Sequence, residues 1–130
     1  MARVRLHIHL EGEHSLGPGK VQLLEEVRAQ GSISAAARAM GMAYRHAWEM
    51  IDDLNQGLGR AVVETASGGQ DGGGAQLTKF GEQLVRRFRA MEAATNRAIA
   101  ADLRALGLST AESRRAPARR APTKRAAKRG

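Results

Sequence analysis

Tyr44, Arg45, His46 and Glu49 place a phenol, a guanidinium, an imidazole and a carboxylate on one short stretch of chain. An arginine there can donate two hydrogen bonds to a guanine edge. A tyrosine or histidine beside it can reach bases or phosphates. Ser34, a little earlier, adds a hydroxyl to the same set. A second candidate is the run Gly68, Gly69, Gln70, Asp71, Gly72, Gly73, Gly74, with five glycines in seven residues. Bare backbone N–H groups in such a run can approach phosphates closely. It lacks the Gly-Lys-Ser/Thr ending of a nucleotide-cradling loop, and no buried parallel strand precedes it, which excludes nucleotide binding. A third is the run of cations at Arg114, Arg115, Arg119, Arg120, Lys124, Arg125, Lys128 and Arg129, suited to phosphates without sequence preference.

Other chemistry is weakly supported. His7 and His9 are spaced to lie on one side of a strand, with His14 following, but they read more simply as polar-face residues than as metal ligands. Asp52 and Asp53 are adjacent on a helix and so do not share a face. No Ser/His/Asp or paired-carboxylate arrangement stands out, so the expectation is a protein without catalytic activity, metal or cofactor.

The elements that must position these residues follow from hydrophobic spacing. Val4, Leu6, Ile8 and Leu10 alternate with polar residues, as in a half-buried strand, and Gly12 to Gly19 reads as a loop. Val21, Leu23, Leu24 and Val27 predict a helix over about 18–30, closed by Gly31. Ser32 or Ser34 can cap a short second helix through Ala35–Ala39, interrupted by Gly41. A third helix is expected from about Ala43 to Asn55, ended by Gly57 and Gly59. Its core face is Ala47, Trp48, Ile51 and Leu54, and Met40, Met42 and Met50 are packing residues. Residues 61–65 and 75–77 predict a hairpin whose tip is the glycine run. Thr78 can cap a long helix with apolar positions Phe80, Leu84, Phe88, Met91, Ile99, Leu103 and Leu106. That stripe exceeds what a small domain needs, and Leu84, Phe88, Met91, Ile99 and Leu103 are expected to form a dimer contact. The fold expected is mainly α with a small β-hairpin: a winged helix-turn-helix plus a long C-terminal dimerisation helix.

The 130 residues suffice for one ordinary domain, read as 1–107, followed by a disordered basic Ala/Pro/Lys/Arg tail over 108–130. Aromatic residues make up 3%, so the core must be aliphatic. There is no cysteine, which excludes disulfides and cysteine-ligated metal and fits a reducing compartment. No signal peptide or membrane-spanning run is visible. The net charge of +8 is uneven: residues 109–130 carry eight cations against Glu112, leaving the rest nearly neutral. Such a balance suggests a polyanionic partner.

The run GSISAAARAMGMAYRHAWEMIDDLNQ, Gly31 to Gln56, followed by VVETASGGQDGGGAQLTKFGEQLV, Val62 to Val85, carries a family resemblance. Together they resemble the N-terminal DNA-binding domain of the ModE family of molybdate-responsive transcriptional regulators, within the LysR-type winged helix group. The resemblance covers roughly residues 3–106. It implies a homodimer on a palindromic operator in double-stranded DNA. Tyr44, Arg45 and His46 would lie on the recognition helix and Gly68 to Gly74 in the wing, and the long helix from Thr78, with the first helix, would form the dimer. It also implies a cytoplasmic, nucleoid-associated bacterial protein, with genes of molybdenum metabolism as possible targets. Full-length members continue into a C-terminal domain that binds the oxyanion. No segment of this sequence resembles that domain's motif, so molybdate enters only by family resemblance.

Two other classes compete: a histone-like architectural protein held to DNA by its tail, and a protein-interaction module on a winged helix. Tail and helix make different contributions. Removing residues 109–130 is expected to weaken binding to all duplexes equally, which affinities for selected and random duplexes of one length would check.

Overall fold

A computed structural model of the chain describes residues 1–66 and 73–110. The described chain divides into two compact units, one of residues 5–89 and one joining residues 1–4 to the chain from Ala90 onward. The expected mainly helical fold with a small β-hairpin is what the structure shows, with a second antiparallel strand pair beside it.

In the larger unit, β1 (Ile8–Leu10) and β2 (His14–Leu16) form an antiparallel pair in the register Ile8↔Leu16 and Leu10↔His14. The sequence suggested one longer strand from Val4 and a loop through 12–19. The ladder is shorter because the residue opposite Leu6 would be Pro18, which has no N–H to donate. β2 escaped notice because three residues are too few to show a period.

Helix α1 (Pro18–Gln30) starts on proline at its first position, where a missing N–H costs nothing, and buries Val21, Leu23, Leu24 and Val27. Helix α2 (Ile33–Ala39) is capped by Ser32, whose Oγ accepts from the Ala35 N–H at 3.0 Å. A four-residue turn over 40–43 follows, with Gly41 at φ +69°. Helix α3 (Tyr44–Leu58) then buries Ala47, Ile51 and Leu54 on one face. The small Ala36 and Ala37 of α2 are buried as well, which lets two helices joined by so short a turn approach closely.

Gly57 does not end α3 as expected; it lies inside the helix, and Gly59 ends it. Its role is clearance. A Cβ at Gly57 would stand 2.6 Å from the Cβ of His14 and 2.8 Å from a Leu10 methyl, so the β1–β2 hairpin rests directly on the helix there.

A polar cluster fixes α3 against α1 and β2. The carboxylate of Asp53 accepts from His14 Nδ1 at 2.7 Å and from the Ser15 N–H at 3.2 Å, and it pairs with the Lys20 ammonium. Burial alone would raise the Asp53 pKa. The hydrogen bonds from Lys20, His14 and Ser15 outweigh it and lower the pKa to about 2.

Beyond α3, β3 (Val63–Thr65) pairs with β4 (Ala75–Leu77) in the register Val63↔Leu77 and Thr65↔Ala75. The hairpin root is tied on several sides. The Ala75 N–H donates to Gly31 O at 2.8 Å, and the Val62 N–H to Asn55 Oδ1 at 2.9 Å. Thr78 caps α4 (Lys79–Ala105) as expected: its Oγ1 accepts from the Gly81 N–H at 2.9 Å and donates to Ala61 O at 2.8 Å. Within this unit α4 supplies Leu84, Val85 and Phe88 to the core shared with α1, α2, α3 and the hairpin. The Arg89 fork on Glu25, with N–O distances of 3.0 and 2.7 Å, and Arg28–Glu82 at 2.8 Å bind α4 to α1. The Arg89 guanidinium holds Glu25 below its usual carboxylate range.

In the smaller unit the Val4 N–H donates to Asn96 Oδ1 at 2.8 Å, and the Ala2 N–H to Ser109 O at 2.6 Å. Helix α4 closes with the Gly107 N–H on Arg104 O and the Leu108 N–H on Leu103 O, the two bonds of a Schellman motif. Thr110 is buried and bridges to Ala2. Leu108, Ser109 and Thr110, placed by the sequence in the tail, are among the described residues. The remainder of the expected tail, 111–130, lies outside the described residues. No helix among the described residues is long and apolar enough to cross a membrane.

Two outcomes follow from this packing. A Cβ on Gly81 would stand 2.2 Å from Val62 O, so Gly81→Ala should destabilise the chain by about 1–3 kcal/mol or more in urea unfolding, although helix propensity alone favours Ala by about 1 kcal/mol. Asp53 is depressed in the folded state from an ordinary 3.8, so its contribution is present above that value and lost as pH falls towards 2. Thermal melts across pH 2–6 should show a shallower acid loss in Asp53→Asn, together with a stability lower by about 1–3 kcal/mol at neutral pH.

Candidate nucleic-acid interface

Burial of Ala47, Ile51 and Leu54 decides what α3 presents to water. Tyr44 is 53% exposed, and the Arg45 side chain is 88% exposed. His46 and Glu49 are exposed beside them. The four expected residues are thus brought together on the N-terminal half of one helix. Arg45 Nε stands 3.9 Å from Glu49 Oε2 and His46 Nδ1 3.8 Å from Glu49 Oε1. These are long contacts between solvated groups, worth little, and they leave the guanidinium free to exchange Glu49 for a better acceptor.

Ser34 is exposed near the start of α2, and its Oγ accepts from Arg38 at 3.1 Å. Ser32, the cap of α2, faces the same space. Between α2, the start of α3 and the root of the β3–β4 hairpin lies a cleft of about 500 Å³, lined in part by Ser32, Ser34, Tyr44, Trp48, Thr65 and Gly74. Trp48, assigned from sequence to the core alone, is half-buried: one part packs on the core, and its indole N–H donates to the Tyr44 hydroxyl at 2.6 Å. The two rings meet edge to face at 6.5 Å. Sequence reasoning also passed over Arg38, although its place four residues after Ser34 on a helix is the spacing that lets the two side chains touch.

Of the expected wing residues, Gly73 and Gly74 stand at the root of the hairpin. Gly68, Gly69, Gln70 and Gly72 lie outside the described residues. So do the eight expected cations of the tail, Arg114 to Arg129.

The expected dimer stripe needs correction. Leu84 and Phe88 are buried in the core of this chain's own larger unit and have no face to offer a partner. They belong to the core that α4 shares with α1, α2, α3 and the hairpin, which the sequence pattern of α4 alone could not distinguish from an outward stripe. Met91 is 37% exposed, and Ile99 and Leu103 are half-buried.

His7 and His9 are exposed, whereas His14 is turned onto Asp53. Among the described residues no group of three His, Cys, Asp or Glu side chains is placed to hold a metal ion.

Residues 19–82 match the model of the bacterial regulatory helix-turn-helix protein family, LysR type. The chain is 40% identical over 97 residues to a molybdenum-pterin-binding protein, MopB, of Rhodobacter capsulatus, covering 75% of this chain and 36% of that protein. It is 37% identical over 87 residues to the transcriptional regulator ModE of Yersinia pestis, covering 67% and 33%. It is 36% identical over 87 residues to the DNA-binding transcriptional dual regulator ModE of Escherichia coli K12, again covering 67% and 33%. The chain therefore spans about a third of the length of these relatives. Helix α1 from its second residue, helices α2 and α3, strands β3 and β4 and the first turn of α4 fall within the matched span, and the segment 19–82 is a bacterial regulatory helix-turn-helix domain of the LysR type.

Proposed function

We propose that the chain is a non-catalytic, sequence-specific DNA-binding regulator of transcription that lays the outer face of α3 in the major groove. The observation that carries this reading is the fully turned-out Arg45 at the start of α3, behind which Ala47, Ile51 and Leu54 are fully buried. A helix held by its inner face offers its outer face to a groove wide enough for one helix. The α2–α3 arrangement in a LysR-type domain supports the same reading. The hairpin root, at Thr65 and Gly74, lies beside the start of α3, on the same side as the proposed groove contact.

The names of the relatives bring in a regulatory target. Regulation of molybdenum-related genes, in the bacterial cytoplasm and at the nucleoid, is the role proposed for this chain. A homodimer on a palindromic site is proposed with it, supported by the apolar Met91, Ile99 and Leu103 that remain on α4. Molybdate is proposed as a ligand of the system and is given no binding residues in this chain.

The test is enrichment of duplexes from a random library at about 150 mM salt, a level at which nonspecific phosphate binding is suppressed, with molybdate in half the samples. A palindrome should emerge. Arg45→Ala should relax preference at one base position per half-site, by about 1–3 kcal/mol, and leave the other positions read. Equal affinity and equal selectivity in the variant would remove Arg45 from the reading head. An enriched site without two-fold symmetry would remove the dimer.

A further inference from the structure

The cleft between α2, α3 and the hairpin root has one property that its position does not require. Four hydroxyl side chains line it, those of Ser32, Ser34, Tyr44 and Thr65, and the first three already accept a hydrogen bond from a group that can only donate. Ser32 Oγ accepts from the Ala35 N–H at 3.0 Å. Ser34 Oγ accepts from the Arg38 guanidinium at 3.1 Å. The Tyr44 oxygen accepts from the Trp48 indole N–H at 2.6 Å. A backbone N–H, an indole N–H and a guanidinium have no acceptor capacity, so each of these three hydroxyls keeps its own proton to give. Among the described residues no carboxylate lines the cleft, and Arg38 brings a positive charge to its rim through Ser34.

A site that offers several O–H donors beside a cation fits an occupant that has only acceptors and carries negative charge. A phosphodiester is such a group, whereas base edges mix donors with acceptors. We propose that this cleft seats one backbone phosphate of the bound duplex, and that Trp48 acts as the positioning residue that commits the Tyr44 hydroxyl to donation. The proposal rests on the DNA-binding reading above and deepens it. Tyr44, beside Arg45 in sequence, then fixes the depth and angle at which α3 enters the groove and carries no base preference.

The test uses the full chain, an enriched duplex, a random duplex of the same length, and the enriched duplex carrying a neutral methylphosphonate at one position at a time. Tyr44→Phe removes one oxygen from an exposed ring. It should weaken enriched and random duplexes by the same factor, about tenfold for a lost hydrogen bond to a charged group. One methylphosphonate position per half-site should cost the native chain a similar factor and cost Tyr44→Phe nothing more. Trp48→Phe should weaken binding in the native background and not in Tyr44→Phe; a merely structural role would weaken both. Trp48 is the one tryptophan in the sequence, so its indole N–H resonance should shift when duplex binds. A Tyr44→Phe loss confined to the enriched duplex would make Tyr44 a base reader and overturn the proposal. So would losses that multiply at every methylphosphonate position, or an indole resonance unmoved in a bound complex, and in these cases DNA binding itself stands. If the native chain binds no duplex at all, both readings fall together.

Discussion

Ala47, Ile51 and Leu54 are fully buried, and that single constraint orients everything the site offers. Each residue of an α-helix turns about 100° from the last, so fixing three inner positions fixes every outer one. Burying an Ile or Leu is worth about 1.5–3 kcal/mol, so rotating α3 to present another face would cost several times thermal energy. The Asp53 cluster adds a directional lock that apolar packing lacks, because its carboxylate must meet Lys20, His14 and the Ser15 N–H at once. Packing sets which side of α3 is inside, and the carboxylate sets how far along its axis it sits.

Much of this was legible in the sequence. The bounds of α1, the cap on α2, the glycine turn, the β3–β4 pair and the Thr78 cap each follow from a local rule about periods or caps, and local rules survive folding. The exposed set Tyr44, Arg45, His46 and Glu49 was legible too, since it is the complement of a 3.6-residue apolar period. What was hidden depends on partners distant in sequence. Gly57 reads as a helix stop until His14 and Leu10 are seen to lie against it. Leu84 and Phe88 read as a surplus stripe until they are seen to be buried in the shared core. Thr110 reads as tail until Ala2 pairs with it.

Trp48 illustrates a different limit. Helical spacing correctly puts its ring near Ile51, and a large aromatic at that position has the area to serve the core. Spacing says nothing of its nitrogen, which must find an acceptor when the ring is partly enclosed. That acceptor is the phenol one turn earlier, so one side chain belongs both to the core and to the outer surface. Residues of this double kind are read by period as plain packing.

The hairpin root is held at three places that belong to other elements: Gly31 at the end of α1, Asn55 near the end of α3, and Thr78 at the start of α4. Helices α1 and α4 are themselves joined by Glu25–Arg89 and Arg28–Glu82. The root of the β3–β4 pair is therefore braced by three other elements and cannot swing independently of them. Any force that shears α1 against α3 would therefore change the gap between that root and the exposed face of α3.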